Sequence, residues 1–490
     1  MHYAPFMPKK AAIIGSGPNG LAAAITLTQA GIKTDLYEAA DAVGGAARTA
    51  ELTLPGFHHD LGASVFPLGI ASPFFNTLPL ARYGHRWIEP PAALAHPLDG
   101  GTAVMLEHDL KATGTGFAHP SDAAAWRSLL KPLVDDWPAL TREILGPILH
   151  LPRSPLLLAK FGLYAMLPAA TLARSAFKGE RARALFGGIA AHSVMPLTGA
   201  FSASVGLVLA AAGHATGWPI TEGGAQSLTN ALAQHLESLD GTIHLHRRIE
   251  SLTELAEVDT ILCDVTPRQL RQIAAAQLQQ HATYDQKLAA YQYGPGTYKI
   301  DWALSDPIPW TAHDCARAAT VHVGGTLDEI IAAEAAPWNK TESPKPFVLL
   351  TQPSLFDPTR APPGQHTAWG YCHVPHASAA DMTEAIESQV ERFAPGFRDC
   401  ILARRDSNAE ALARWNPNLL GGDVSGGAMT LSQLLFRPTP RNYRTSNPTL
   451  YLCSSSTPPG GGVHGMCGHL AAQAALRDLG PLTSTASSNS

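Results

Sequence analysis

The sequence predicts an α/β protein in which a parallel-sheet unit is split between the two ends of the chain and unlike material is inserted between them. Three observations carry this. Residues 11–14 (AAII), the turn GSGPNG, the run LAAAITLTQAG and then TDLYE at 34–38 read as strand, turn, helix and strand. The other end repeats the order, with a strand at 449–456 (TLYLCSSS), a glycine-rich turn and a helix at 469–476 (HLAAQAAL). The chain of 490 residues also exceeds what one core serves, at about 100–200 residues per domain.

The intervening elements follow in order. Residues 71–215 hold Ala- and Leu-rich helical stretches broken by proline. Residues 218–252 read as a Gly-Gly turn, a long helix carrying Leu228, Leu232, Leu236 and Leu239, a glycine stop and a strand. DTILCDV (259–265) is a buried type of strand, and residues 290–373 alternate as an antiparallel or mixed sheet does. DMTEAIESQVERFA (381–394) is an amphipathic helix stopped by Gly396. The tail TSTASSNS reads as disordered.

Composition narrows the function. Charged residues are only 15%, against about 25% in ordinary domains, so a partner, a lipid or a large apolar ligand is expected to cover some surface. The net charge of −5 gives no electrostatic reason to expect nucleic acid. Six cysteines without a C-x-x-C pair are too sparse for a disulfide framework, which points to a reducing cytoplasm. Lys9-Lys10 followed by apolar residues imitates a signal peptide, but Gly15, Gly17 and Gly20 interrupt it. No run of about 18 uninterrupted apolar residues exists, so no spanning helix is expected.

Gly15-x-Gly17-x-x-Gly20 lies between the first strand and helix, with Ser16, Pro18 and Asn19 completing the turn. Such a turn lets backbone approach a pyrophosphate, which the helix N-terminus favours. Glu38 ends the second strand, where an acid holds ribose hydroxyls and disfavours a 2′-phosphate. The choice between NAD and FAD rests on AADAVGGAART. Gly44-Gly45 followed by Arg48-Thr49 resembles the extension in FAD enzymes of the glutathione-reductase and amine-oxidase type. Ala46-Ala47 separate Arg48 from the glycine pair, and a surface ion pair is its alternative role. Gly460-x-Gly462-x-x-Gly465 repeats the motif and is expected to serve the same nucleotide, for lack of a further βαβ unit of about 30 residues. Its helix start would face the flavin's pyrimidine edge, or is an ordinary strand-to-helix connection. NAD(P)H is not expected to bind in a second domain.

These two ends, with GFHHDLGASVFP, TEGGAQSLTNALA, GPGTYKIDWAL and the stretch 437–472, resemble the FAD-dependent carotenoid desaturase-like (phytoene dehydrogenase-related) oxidoreductases. The branch most resembled is the pyridine nucleotide-disulfide oxidoreductase domain 2 type. The resemblance implies a discontinuous Rossmann-like FAD-binding domain of glutathione-reductase-2 type at 1–98, 216–275 and 436–480. A helical cap at 99–215 and a mixed-sheet substrate domain at 276–435 would complete it, with a tail at 481–490. It implies FAD contacts at Gly15, Ser16, Gly17, Pro18, Asn19, Gly20, Glu38, Gly44, Gly45, Arg48, Gly62, Ala63, Ser64, Ile249, Ser455, Gly462, Val463 and His464. One departure is Ser454-Ser455-Ser456-Thr457, where desaturases commonly show Gly-Ala-Gly-Thr; serine hydroxyls there would reach the ribityl chain.

On the substrate side, Tyr298, Ile300 and Trp302 share one strand face and would either wall an apolar tunnel or form sheet core. Residues 146–173 are apolar, and would either contact a membrane surface or pack as a cap on the core; the missing basic face favours the core. Twenty-one histidines include no H-E-x-x-H, so no metal is expected. His464, at a helix start, is the candidate for moving a proton, or else only caps the helix. The expected activity is hydride transfer between flavin N5 and a C–H bond of an apolar, polyene-like substrate, forming or reducing C=C. Redox-neutral isomerisation, amine oxidation and a non-catalytic flavin scaffold remain as alternatives. The oligomeric state is left open. A cytoplasmic protein, peripheral to a membrane on one reading, is expected.

Overall fold

The computed structural model describes residues 9–255 and 257–480. The tail 481–490 lies outside the described residues.

Two sheets organise the fold. The first has five parallel strands in the order Leu450–Leu452, Thr260–Cys263, Lys10–Ile14, Lys33–Tyr37, Thr242–His244. Three separate stretches of chain therefore build it. Its central strands are short apolar runs because both faces are covered. Helices Pro18–Gln29, Ala225–Ser238 and Met466–Leu479 pack on one face through Leu21, Ile25, Leu228, Leu232 and Ala471. On the other face Leu252, Leu270, Leu278 and Leu288 close the layer. Small residues let two of the helices nearly touch. A Cβ on Gly468 would lie 1.7 Å from the Asn19 carbonyl oxygen.

The second sheet has seven strands in the order Ile401–Ser407, Gly296–Leu304, His366–Val374, Val348–Thr351, Thr320–Val323, Leu94–Leu98, Thr102–Leu106. All pairings are antiparallel except the single parallel bridge Val321↔Ala95. Helix Thr383–Phe393 covers one face through Ile386, Val390 and Phe393. The sequence reading placed 94–98 with the nucleotide unit and 102–106 with the cap. Both strands instead belong to this sheet, with Thr102–Leu106 at its edge, and are joined by a turn at Gly100-Gly101 with φ of 82° and 73°. Their partner strand is more than two hundred residues away, so local pattern could not assign them.

The cap helices, among them Pro120–Asp135, Glu180–Ala190 and Ser202–Ala215, enclose Trp126, Leu130, Leu185 and Leu207. No single described helix is long and apolar enough to cross a membrane. Pro155–Ala165 and Ala169–Ala176 reach that composition only together and are bent by 95°. The run 146–173 is divided in role. Ala169, Ala170, Leu172 and Ala173 are core, whereas Leu156 is 79% exposed and Leu163 67%.

Candidate functional site

A cavity of about 1110 Å³ runs from the first glycine turn to an apolar chamber under the cap. The turn is shaped by what glycine omits. Gly15 has φ of 94°, and a Cβ on Gly20 would stand 2.0 Å from the Gly15 carbonyl oxygen. Strand, turn and helix thus pack backbone to backbone. The helix Pro18–Gln29 starts with no side-chain cap on its Gly17 end. Its leading N–H groups are then available to an anion.

Gly15 to Asn19, Glu38, Gly45, Arg48, Gly62 to Ser64, Ile249, Ser455 and Gly462 to His464 all line this one cavity. Gly20 and Gly44 do not; they sit behind the turn, and the Gly20 N–H donates to Asp264 at 2.9 Å. Ile249 lies beyond the short strand Thr242–His244 rather than on it. Glu38 accepts from the Ser16 N–H at 2.9 Å, the Ser16 hydroxyl at 2.6 Å and the Ala40 N–H at 2.8 Å. Arg48 shows both expected faces. One terminal nitrogen pairs with Asp41 at 2.9 Å, while its Nε is buried without a partner and the residue lines the cavity. The Ser454 and Ser456 hydroxyls donate to the Val265 and Gly426 carbonyls, each at 2.7 Å. Of the three serines only Ser455 faces the cavity.

His464 caps its helix: its Nδ1 accepts the Met466 N–H at 3.1 Å. An amide can only donate, so the proton sits on Nε2, which is buried and unpartnered. Burial lowers the imidazole's pKa to about 4. The ring is therefore a neutral hydrogen-bond donor at pH 7 and has no basic nitrogen free to take a proton.

Tyr298, Ile300 and Trp302 do not wall the cavity. They point into the sheet core under helix Thr383–Phe393, with the Tyr298 hydroxyl donating to Asp381 at 2.7 Å and Trp302 Nε1 to Glu387 at 3.1 Å. The sheet-core alternative describes them. A strand alternates faces, so their neighbours Thr297 and Lys299 line the cavity instead. The Lys299 ammonium donates to Asp301 at 2.5 Å and lies 5.0 Å from the centre of the Trp369 ring.

Sequence reasoning passed over two buried groups. Lys299 lies on the strand face opposite Tyr298, Ile300 and Trp302, and the sequence reading gives that face no role. Asp264 ends the strand Thr260–Cys263 beside the glycine turn, and its carboxylate fills the space under Gly17, 2.6 Å from where a Cβ would be. Burial, with Glu38 nearby, pushes its pKa up to about 7. Its signal was an acid at the carboxyl end of an apolar parallel strand, the place where such sheets bind ligands. Among the described residues no group of three or more His, Cys, Asp or Glu side chains is arranged to hold a metal ion.

The family of NAD(P)-binding Rossmann-like domains matches residues 13–78. Pyridine nucleotide-disulfide oxidoreductase domain-containing protein 2 of Mus musculus is 27% identical, over 96% of this chain and 93% of that protein. Phytoene desaturase (lycopene-forming) of Pseudescherichia vulneris is 25% identical, over 96% and 99%. The solved structure of cyclohexylamine oxidase from Brevibacterium oxydans shares the fold with a TM-score of 0.56 at 15% identity, covering 96% of this chain and 100% of that one. With the glycine turn, Glu38 and the two-sheet architecture, these likenesses make the chain a homologue of the FAD-dependent, desaturase-like oxidoreductases, itself an oxidoreductase built on a Rossmann-like domain.

Proposed function

We propose that the chain binds one FAD along this cavity and moves hydride between the flavin and a C–H bond of a mainly apolar substrate in the chamber, forming or reducing C=C. The observation that carries this is the single cavity that joins a nucleotide turn to a chamber walled by Phe161, Val205, Val208 and Leu209. Bound there, the flavin supplies a hydride acceptor and donor at N5.

The polar atoms left over in the protein fit such a group. Asn19 Oδ1, Arg48 Nε and His464 Nε2 are buried in cavity-lining residues with no partner. A buried unpaired polar atom costs about 1–3 kcal/mol, which a nucleotide with hydrogen-bonding groups along its length relieves. The glycine turn and helix start receive the pyrophosphate, Glu38 holds the ribose, and His464 donates a hydrogen bond from Nε2. The apolar chamber excludes water from the substrate. The exposed side of Pro155–Ala165 carries Leu156 and Leu163, while its Leu158 and Phe161 line the chamber, which suits entry of an apolar substrate from a membrane surface.

Purified protein should show flavin absorbance and release about one equivalent of FAD on denaturation. Anaerobic mixing with polyenes, fatty acids and amines should bleach the flavin with an apolar C–H donor. A colourless protein that FAD cannot reconstitute overturns the reading. Bleaching by amines alone turns it to amine oxidation, and rapid saturable reduction by NADH or NADPH shows that a nicotinamide is the donor. Co-flotation with anionic liposomes, lost in Leu156→Ser/Leu163→Ser, tests the membrane entry.

A further inference from the structure

The chamber is not uniformly apolar. His192 follows helix Glu180–Ala190 and lines the cavity beside Trp218, with 5.6 Å between ring centres. Its Nε2 is 3.0 Å from Nε2 of His322, a fully buried residue of the second sheet. Tyr371 lines the same cavity from strand His366–Val374. The register Tyr371↔Leu349↔His322 places Tyr371 and His322 on one face of the sheet, with a single strand between them. The His192–His322 pair and Tyr371 thus belong to one side of the chamber.

Two atoms are left open there. His192 Nδ1 and the Tyr371 hydroxyl make no hydrogen bond among the described residues, and both residues are half-buried and line the cavity. Thr320 and Thr351, paired across adjacent strands, also line the cavity and leave their hydroxyls unpartnered. Among the described residues the carboxylates near this side are all engaged: Glu334, whose charge acts on Tyr371, is hydrogen-bonded to His373 Nδ1 at 2.7 Å. Glu143 is held by His150 and by the N–H groups of Arg153 and Ser154, and Asp423 by those of Gly294 and Ser425. Glu38 and Asp264 belong to the nucleotide turn.

We propose that His192 and Tyr371 together bind a neutral oxygen, a hydroxyl or a carbonyl, on an otherwise apolar substrate, which makes the ligand an oxygenated apolar molecule rather than a bare hydrocarbon or an amine. This rests on the reading of the chamber as the substrate site. The imidazole pair suits either oxygen. If His192 donates to His322 through Nε2, its Nδ1 accepts from a hydroxyl. If His322 donates, Nδ1 carries the proton and donates to a carbonyl. The Tyr371 hydroxyl donates or accepts as the first choice requires. A hydrocarbon would leave these groups dry and unpaired, and an amine would find no unpaired counter-charge, since Glu334 is already bonded to His373.

The test uses the full chain and four probes of equal length: 1-octanol, 2-octanone, octane and octylamine. Binding is read by tryptophan fluorescence, since Trp218 adjoins His192, and flavin content is measured separately by absorbance. Octanol and octanone should bind at least about tenfold tighter than octane, the preference one good hydrogen bond gives. Tyr371→Phe, which keeps the ring, and His192→Phe should each erase most of that preference and leave octane binding unchanged. His192→Gln should restore part of it. Equal binding of all four probes, tighter binding of octylamine, or an unchanged preference in Tyr371→Phe overturns the proposal. A protein without flavin refutes the cofactor reading but leaves the fluorescence result to stand by itself.

Discussion

The two ends of the cavity are built from different parts of the chain. At the nucleotide end the surface is backbone: glycines at 15, 17, 45, 62 and 462 bring amides to the wall, and Glu38 is the main side chain presented. At the chamber end the surface is side chains from cap helices and sheet. A backbone surface tolerates no added atom, because the chain itself is what it would strike. A side-chain surface can repack. Substitutions should therefore be all-or-none at one end and graded at the other.

Gly20→Val should have the largest effect. Its Cβ would meet the Gly15 carbonyl at 2.0 Å, so the turn cannot close and the purified protein should carry no flavin. Retained stoichiometric FAD would show that the turn yields and would break the contrast. Glu38→Ala removes an acceptor of three hydrogen bonds and should weaken FAD binding by ~1.5–3 kcal/mol, or roughly ten- to a hundredfold in Kd. Unchanged affinity in a fluorescence titration would place the ribose elsewhere.

Asp264 sharpens the contrast through pH. Burial raises its pKa from 3.8 to about 7, so the folded state holds this proton more tightly than the unfolded chain. Its contribution to stability is complete below pH ~4 and falls away as pH rises through about 7, a loss on the order of 2–4 kcal/mol. Urea midpoints of the wild type should decline over that window relative to Asp264→Asn. FAD should also bind more tightly at pH 6 than at pH 8, because ionised Asp264 repels the pyrophosphate. Parallel curves for wild type and variant would remove the carboxyl from this role.

Val208→Phe, inside the chamber, should leave flavin content unchanged and alter only binding of chamber ligands. Tyr298→Phe should be smallest, costing ~1 kcal/mol through lost bonds to Asp381 and Thr383 with the flavin spectrum unmoved. A shifted spectrum would return Tyr298 to the cavity wall.

The same division explains what could be read from sequence. A glycine at 15, 17 or 20 leaves a mark because no other residue meets the backbone demand, and Glu38 follows at a fixed distance along one strand. The chamber leaves no such mark. Tyr298 and Lys299 are neighbours on one strand, and only the helix Thr383–Phe393, covering one face, decides which of them faces the cavity. His192 becomes significant only when remote segments meet. His192 lies 130 residues from its partner His322. Leu94–Leu98 reads as an ordinary apolar stretch until Thr320–Val323 is beside it.

The contact of Gly468 with Asn19 has a consequence for synthesis. A ribosome makes the glycine turn and Glu38 more than four hundred residues before the helix Met466–Leu479 that locks against that turn and the strand Leu450–Leu452 that edges its sheet. At ~5–20 residues per second the first βαβ unit waits roughly 20–90 s for them. Throughout that interval an apolar helix face is uncovered and the pocket lacks a wall. Cofactor loading thereby waits on residues 450–479, and the first βαβ unit is exposed to misassociation until they arrive.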